Sequence, residues 1–162
     1  MKNNKYCNLA EILPHEQPMI LIDRVLSYDL EKMAITTQFD VTEKSLFYNE
    51  ALRGIPPYIG LECMVQSMGA LSGISNKEKN EWQGKPKLGF LLGTRKYTNS
   101  VETYKAGATY TVESKELFND GTMGSYECTI KAEDDSICAM AEVIAFSPKN
   151  PEDFIEGNGA NG

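Results

Sequence analysis

One histidine occurs in the chain, His15, set in the stretch Leu13-Pro14-His15-Glu16-Gln17-Pro18. An imidazole changes charge near neutral pH, and the flanking prolines restrict the backbone that carries it, so His15 could give or take a proton as a general acid or base. By residue type alone it could equally be a surface-loop histidine or a cap on a neighbouring backbone group. Glu62 is the second candidate, with Gln66 four residues on and Gly69 and Gly73 continuing the same helical face. If that face meets solvent, Glu62 merely complements the positive end of a helix dipole. Two glycines at this spacing instead allow close backbone approach, which predicts a packed face enclosed by sheet. Glu62 then becomes a buried carboxylate with Gln66 as its hydrogen-bond partner, and buried ionisable groups usually have a function. The first free amides of the helix, around Tyr58 and Ile59, could hold a polarised carbonyl.

The elements that must position these groups follow from periodicity. Met19–Tyr28 opens on the apolar run Met-Ile-Leu-Ile and reads as a buried strand; Met33–Asp40 alternates and completes a hairpin. Leu46–Pro57 is irregular, and Pro56-Pro57 delays any helix. From Tyr58 to Gly73 the residues Leu61, Met64, Val65, Met68 and Leu71 recur at helical spacing, with Gly73 as the expected stop. Four strand-like segments follow: Leu88–Tyr97, Ala108–Phe118, Met123–Ala132 and Ile137–Phe146. Asn119-Asp120-Gly121 and Glu133-Asp134-Asp135 serve as turns between the last three. A largely apolar helix among six strands must be wrapped by them, so the fold class is α+β, a curved antiparallel sheet around one long central helix. Residues 1–148 are expected to form a single domain and 149–162 a flexible tail with little to bury.

Composition removes several classes of function. The chain of 162 residues carries a net charge of −7, which argues against a nucleic-acid surface. No apolar run is long enough to span a bilayer, and no secretory leader is recognisable, so a cytoplasmic protein is expected. Cys7, Cys63, Cys128 and Cys138 are scattered and form no C-x-x-C pair. With one histidine beside them, they read as reduced thiols, and no metal site is expected. No nucleotide or flavin motif is present, so no cofactor is expected.

Leu13-Pro14-His15-Glu16-Gln17-Pro18-Met19-Ile20-Leu21-Ile22-Asp23-Arg24-Val25 resembles the opening of FabZ-type 3-hydroxyacyl-ACP dehydratases, and Leu61-Glu62-Cys63-Met64-Val65-Gln66 resembles the Glu-x-Met-x-Gln signature of their central helix. Leu88-Gly89-Phe90-Leu91-Leu92-Gly93-Thr94-Arg95 and the ending Ala141 to Pro148 resemble the ApeP-like branch associated with aryl polyene pathways. The likeness covers residues 9–148.

It implies a hot-dog fold working as a dimer, with itself or with another hot-dog subunit, on a thioester of acyl carrier protein or CoA. The implied reaction is dehydration of the 3-hydroxyacyl group to the trans-2-enoyl form. Glu62 matches the family glutamate, and the amides of Tyr58 and Ile59 match the carbonyl-holding position. Gln66, Gly89 and Phe90 fall on expected substrate-binding positions. The family's loop histidine, supplied in those enzymes by the other subunit, has no counterpart: its position falls on Tyr48. A phenol with a reference pKa of about 10 is a poor base at neutral pH. His15 is then expected to replace it as the acid–base group. The alternatives are a subunit without catalysis of its own in a heterodimeric dehydratase, and a hot-dog thioesterase in which Glu62 activates water. An acidic carrier protein would need local cations, for which Arg53, Lys85, Lys87, Arg95, Lys96 and Lys105 are candidates.

Overall fold

The computed structural model describes residues 2–3, 8–79 and 90–146. In chain order the elements are β1 (Lys2–Asn3), a 3-10 turn at Leu9–Glu11, β2 (Arg24–Asp29), β3 (Ala34–Asp40), β4 (Gly54–Ile55), α1 (Ile59–Glu78), β5 (Phe90–Asn99), β6 (Tyr104–Lys105), β7 (Thr109–Asn119), β8 (Met123–Lys131) and β9 (Ile137–Phe146). Six strands form the body of one antiparallel sheet in the order β2-β3-β7-β8-β9-β5, and the two-residue β1 adds to its β2 edge. The short β4 and β6 pair separately. This is the hot-dog fold, with α1 lying across the concave face of the sheet.

Strand alternation builds that face. Ile35, Thr37 and Phe39 of β3, Tyr110, Val112 and Ser114 of β7, and Tyr126, Cys128 and Ile130 of β8 are all buried, with more exposed residues between them. Against them the helix sets Gly60, Met64, Ser67, Leu71 and Ile74, spaced at three and four residues. The two buried hydroxyls facing each other, Thr37 Oγ1 and Ser67 Oγ, satisfy one another at 3.0 Å. The hairpin expected at Asn119-Asp120-Gly121 forms, with Asp120 accepting from the amides of Thr122 and Met123 and Gly121 at φ 91°, a conformation that glycine adopts without strain.

Two boundaries differ from expectation. Strand β2 begins at Arg24, not Met19: the apolar stretch before it runs beside the helix, where the Gln66 side chain, not a strand, takes up the amides of Leu21 and Ile22. The helix does not stop at Gly73 but continues to Glu78. Gly73 is buried inside it because a Cβ there would overlap the carbonyl oxygen of Ile12. Its role is close approach, which sequence alone does not separate from helix termination. Gly89, Lys85, Lys87, Cys7 and the expected tail at 149–162 lie outside the described residues, as does the start of the strand expected from Leu88.

Candidate active site

Residues 8–23 cross α1 on the side away from the sheet, forming a strap. The face of Glu62, Gln66, Gly69 and Gly73 is therefore packed, as the glycines suggested, but the strap covers it and the sheet does not. Gly73 admits the backbone at Ile12, and a Cβ on Gly69 would come within 3.2 Å of Leu13 Cδ2. The buried side chains of Ile12 and Leu13 complete this contact. Further along, Gln66 holds Met19–Ile22. Its Nε2 donates to the Met19 carbonyl at 2.7 Å, and its Oε1 accepts from the amides of Leu21 at 2.7 Å and Ile22 at 3.4 Å. Beyond Ile22 the chain enters the sheet at Asp23-Arg24. Asp23 accepts from the Asp40 amide at 2.6 Å, and Arg24 pairs with Asp40, which Thr109 also contacts at 2.7 Å.

His15 hangs between these anchors and meets Glu62. Its Nε2 lies 3.4 Å from Glu62 Oε1, with the side chains 27% and 40% exposed, so the pair is reachable from solvent yet partly enclosed. Glu62 is thus not the buried carboxylate expected, because the strap encloses it less completely than a sheet would. Its Oε1 also faces Gln66 Nε2 at 3.4 Å. His15 Nδ1 is buried without a partner among the described residues, so Nε2 is the nitrogen turned toward the carboxylate. A basic nitrogen and a carboxylate at this separation can exchange a proton and serve two adjacent atoms of one substrate.

A cavity of about 260 Å³ lies between the strap and the start of α1; neither His15 nor Glu62 lines it, but Gln17 and Cys63, close to them in the chain, do. Gln17, Pro18, Ile20 and Leu21 line it from the strap, Ile59 and Cys63 from the helix, and Phe39, Leu46, Phe47 and Ile55 from beyond. The wall is mixed: these apolar side chains share it with Gln17, Asp23, Asp40, Lys44 and Ser45. Cys63 is fully buried and its thiol is pushed well above the ordinary range by desolvation, so it is wall and not nucleophile.

The other expected site residues distribute unevenly. The Ile59 amide donates to Pro56 O at 3.1 Å in a tight turn entering the helix, and Gly60 donates to Pro57 O at 3.0 Å. Tyr58, 71% exposed, has no backbone acceptor for its amide among the described residues. Tyr48 is half-buried, its amide given to Ser45 O, and its neighbours Leu46 and Phe47, not Tyr48 itself, line the cavity. Phe90 opens β5 opposite Phe146. The Arg24–Asp40 network was not singled out from the sequence, although Asp23-Arg24 lies within the stretch that carries the resemblance; an isolated charged dipeptide gives no sign of a partner sixteen residues away.

A hot-dog sheet and helix on which a histidine and a carboxylate meet define a hot-dog protein with a candidate acid–base pair. The family model for ApeP-like proteins, described as ApeP dehydratase, matches residues 7–156, and the chain belongs to that family. It is 35% identical over 96 residues to the 3-hydroxyacyl-[acyl-carrier-protein] dehydratase FabZ of Chlamydia caviae, covering 57% of this chain and 59% of that one. It is 33% identical over 96 residues to FabZ of Chlamydia pneumoniae, covering 57% and 60%. The matched part thus spans 59–60% of the length of these relatives. Among solved structures, a chain of the dehydratase heterocomplex ApeI:P from Xenorhabdus doucetiae superposes with a TM-score of 0.84 at 25% identity, over 95% of this chain and 99% of that one. No described helix is long and apolar enough to cross a membrane.

Proposed function

We propose that this chain dehydrates a 3-hydroxyacyl thioester to the trans-2-enoyl thioester in the cytoplasm, using His15 and Glu62. The observation that carries the reading is the 3.4 Å approach of His15 Nε2 to Glu62 Oε1, with a cavity lined by the neighbouring Gln17 and Cys63. His15 takes the proton alpha to the thioester carbonyl, and the C–H electron pair becomes the new double bond. The bond from Cβ to the hydroxyl breaks as the resulting imidazolium gives that proton to the departing oxygen, which Glu62 holds in place, and water leaves. The imidazole is thereby returned to its starting form. Charge builds on the carbonyl oxygen during proton removal, and the amide of Tyr58 is the group we assign to it, since that of Ile59 already serves Pro56. The acyl chain occupies the cavity.

The thioester carrier is acyl carrier protein or CoA. Exposed Arg53, in the turn just before β4, and exposed Lys105 of β6, paired with Gly54, offer cations to an acidic carrier. Among the described residues strand β5 ends the sheet, with Thr94–Asn99 exposed and a neighbouring strand on one side only, which favours a partner strand from a second hot-dog subunit. The ApeI:P assembly is a heterocomplex, and this favours a different subunit as that partner, aryl polyene synthesis being one setting. Gly89, outside the described residues, and Phe90, the first residue of β5, are kept as substrate-binding positions, as is Tyr48, next in the chain to the cavity-lining Phe47.

The test is mass spectrometry of 3-hydroxyacyl carrier protein incubated with the chain, alone and with its partner subunit, beside His15→Ala. Loss of one water with wild type and not with the variant is expected. Release of free acid would make the protein a thioesterase. Turnover unaffected by His15→Ala in either assembly would overturn the assignment of His15.

A further inference from the structure

Resting on that reading of the dyad, we infer that Gln66 is its positioning residue, a single buried amide that sets where the histidine strap stands relative to the carboxylate. The sequence placed Gln66 among the substrate-binding residues. Its side chain is 0% exposed, and its hydrogen-bonding capacity is used inside the protein. Both donors of Nε2 are engaged, by Met19 O at 2.7 Å and Glu62 Oε1 at 3.4 Å. Both lone pairs of Oε1 are engaged, by the amides of Leu21 at 2.7 Å and Ile22 at 3.4 Å. Nothing remains for a ligand.

The same four bonds explain why the residue is an amide. Met19 O and the Glu62 carboxylate both require a donor, while the Leu21 and Ile22 amides require an acceptor. A glutamate would leave the first two facing a third acceptor, and an aliphatic side chain would strand all four. The placement is equally specific. Gln66 stands one helical turn after Glu62, and the segment it grips begins four residues after His15. The close approach of Gly73 to Ile12 pins the strap three residues before His15. His15 is thus the middle of a span fastened at both ends, and the end nearer the cavity is fastened by the group that also touches the carboxylate.

The role predicts a split in kinetic parameters. In Gln66→Leu or Gln66→Met, kcat for a 3-hydroxydecanoyl carrier protein is expected to fall about 10- to 100-fold, with KM changed by no more than about twofold, because the dyad geometry and not ground-state binding is disturbed. His15 is the only histidine in the chain, so its imidazole cross-peak in a carbon–proton correlation spectrum needs no assignment. At fixed pH that peak should move, in both variants, toward its position in Glu62→Gln. A raised KM with unchanged kcat would make Gln66 a substrate-binding residue instead, and an unmoved His15 peak would equally overturn the proposal. Should both variants fail to fold, the wild-type protein decides: slow solvent exchange of the Gln66 side-chain NH2 and of the Leu21 amide is expected, and fast exchange of either refutes the clamp. A wild-type protein without turnover would sink the dehydratase reading, while the spectroscopic measurements would still judge Gln66.

Discussion

The two long faces of α1 are built on opposite principles. Gly60, Met64, Ser67, Leu71 and Ile74 meet the sheet, all of them buried, with one hydroxyl pair as the polar contact noted between Ser67 and β3. Glu62, Gln66, Gly69 and Gly73 meet the strap, through hydrogen bonds to its backbone and through glycines that let that backbone come close. Burial of apolar surface is non-directional and supplies most of the stability of a fold. Hydrogen bonds and close backbone contacts add little net energy each but fix geometry. The helix is therefore held in place by one face and carries the proposed His15–Glu62 site on the other, and substitutions on the two faces should separate stability from turnover.

The largest effect is expected on the strap side. His15→Ala and Glu62→Gln should each lower kcat/KM on the order of 10²- to 10⁴-fold, the usual contribution of a positioned acid or base, while leaving the thermal midpoint near that of wild type. Both partners come from one chain. Mixing the two variants after unfolding and refolding together should therefore restore no activity, since each chain would carry a broken pair. Recovered activity in the mixture would mean that the working pair is formed across subunits.

The sheet side should respond in the opposite sense. Leu71 is 0% exposed, and Leu71→Ala removes packing that cannot refill, at a cost of about 2–5 kcal/mol. Its folded fraction should keep a normal kcat and a normal His15 signal, with denaturant titration reading the loss. A selective fall in kcat with stability intact would break the division between the faces.

Gly73→Ala is intermediate and sharpens the comparison further. The added methyl would overlap Ile12 O, and the strap must shift to admit it, costing about 1–3 kcal/mol. Because Ile12 lies three residues before His15, the variant should lose turnover as well as stability.

The same contrast explains what could be read in advance. Alternation in β3, β7, β8 and β9 and the apolar spacing of α1 are signatures of burial, and they gave the six-strand wrap around a helix. Gly69 and Gly73 gave a packed second face, because small residues at helical spacing leave room for something. What covers that face was beyond pattern reading. Met19–Ile22 is an apolar run whether it pairs in a sheet or lies along a helix, and the amides of Leu21 and Ile22 are claimed by Gln66, 45 and 44 residues away in sequence. Gly73 had two physical meanings and the wrong one was the commoner. His15 and Glu62 were both conspicuous as types, but their meeting depends on the strap's path, which no local signal encodes. Strands β4 and β6, two residues each, are too short to carry a period at all.

The smallest effect belongs to the point where strap passes into sheet, and its sign separates two neighbouring acids. The Arg24 guanidinium holds the Asp40 carboxyl below the ordinary carboxylate range, whereas burial is the main cause raising Asp23. Asp40 therefore contributes stability that is present above the ordinary range and is lost as the pH falls through its depressed value. Asp23 works the other way: its charged form is disfavoured in the folded chain, and protonation on acidification relieves that penalty. Both groups are open enough to solvent that screening limits the Asp40 contribution to about 1 kcal/mol or less. Thermal midpoints followed from neutral pH to below the carboxylate range should fall less steeply in Asp40→Asn than in wild type, and more steeply in Asp23→Asn. The wild-type difference should amount to about 2–4 °C for each kcal/mol lost. Parallel curves for all three proteins would show that the Arg24–Asp40 pair does not fasten the strap, and that its hold rests on Gln66 and Gly73 alone.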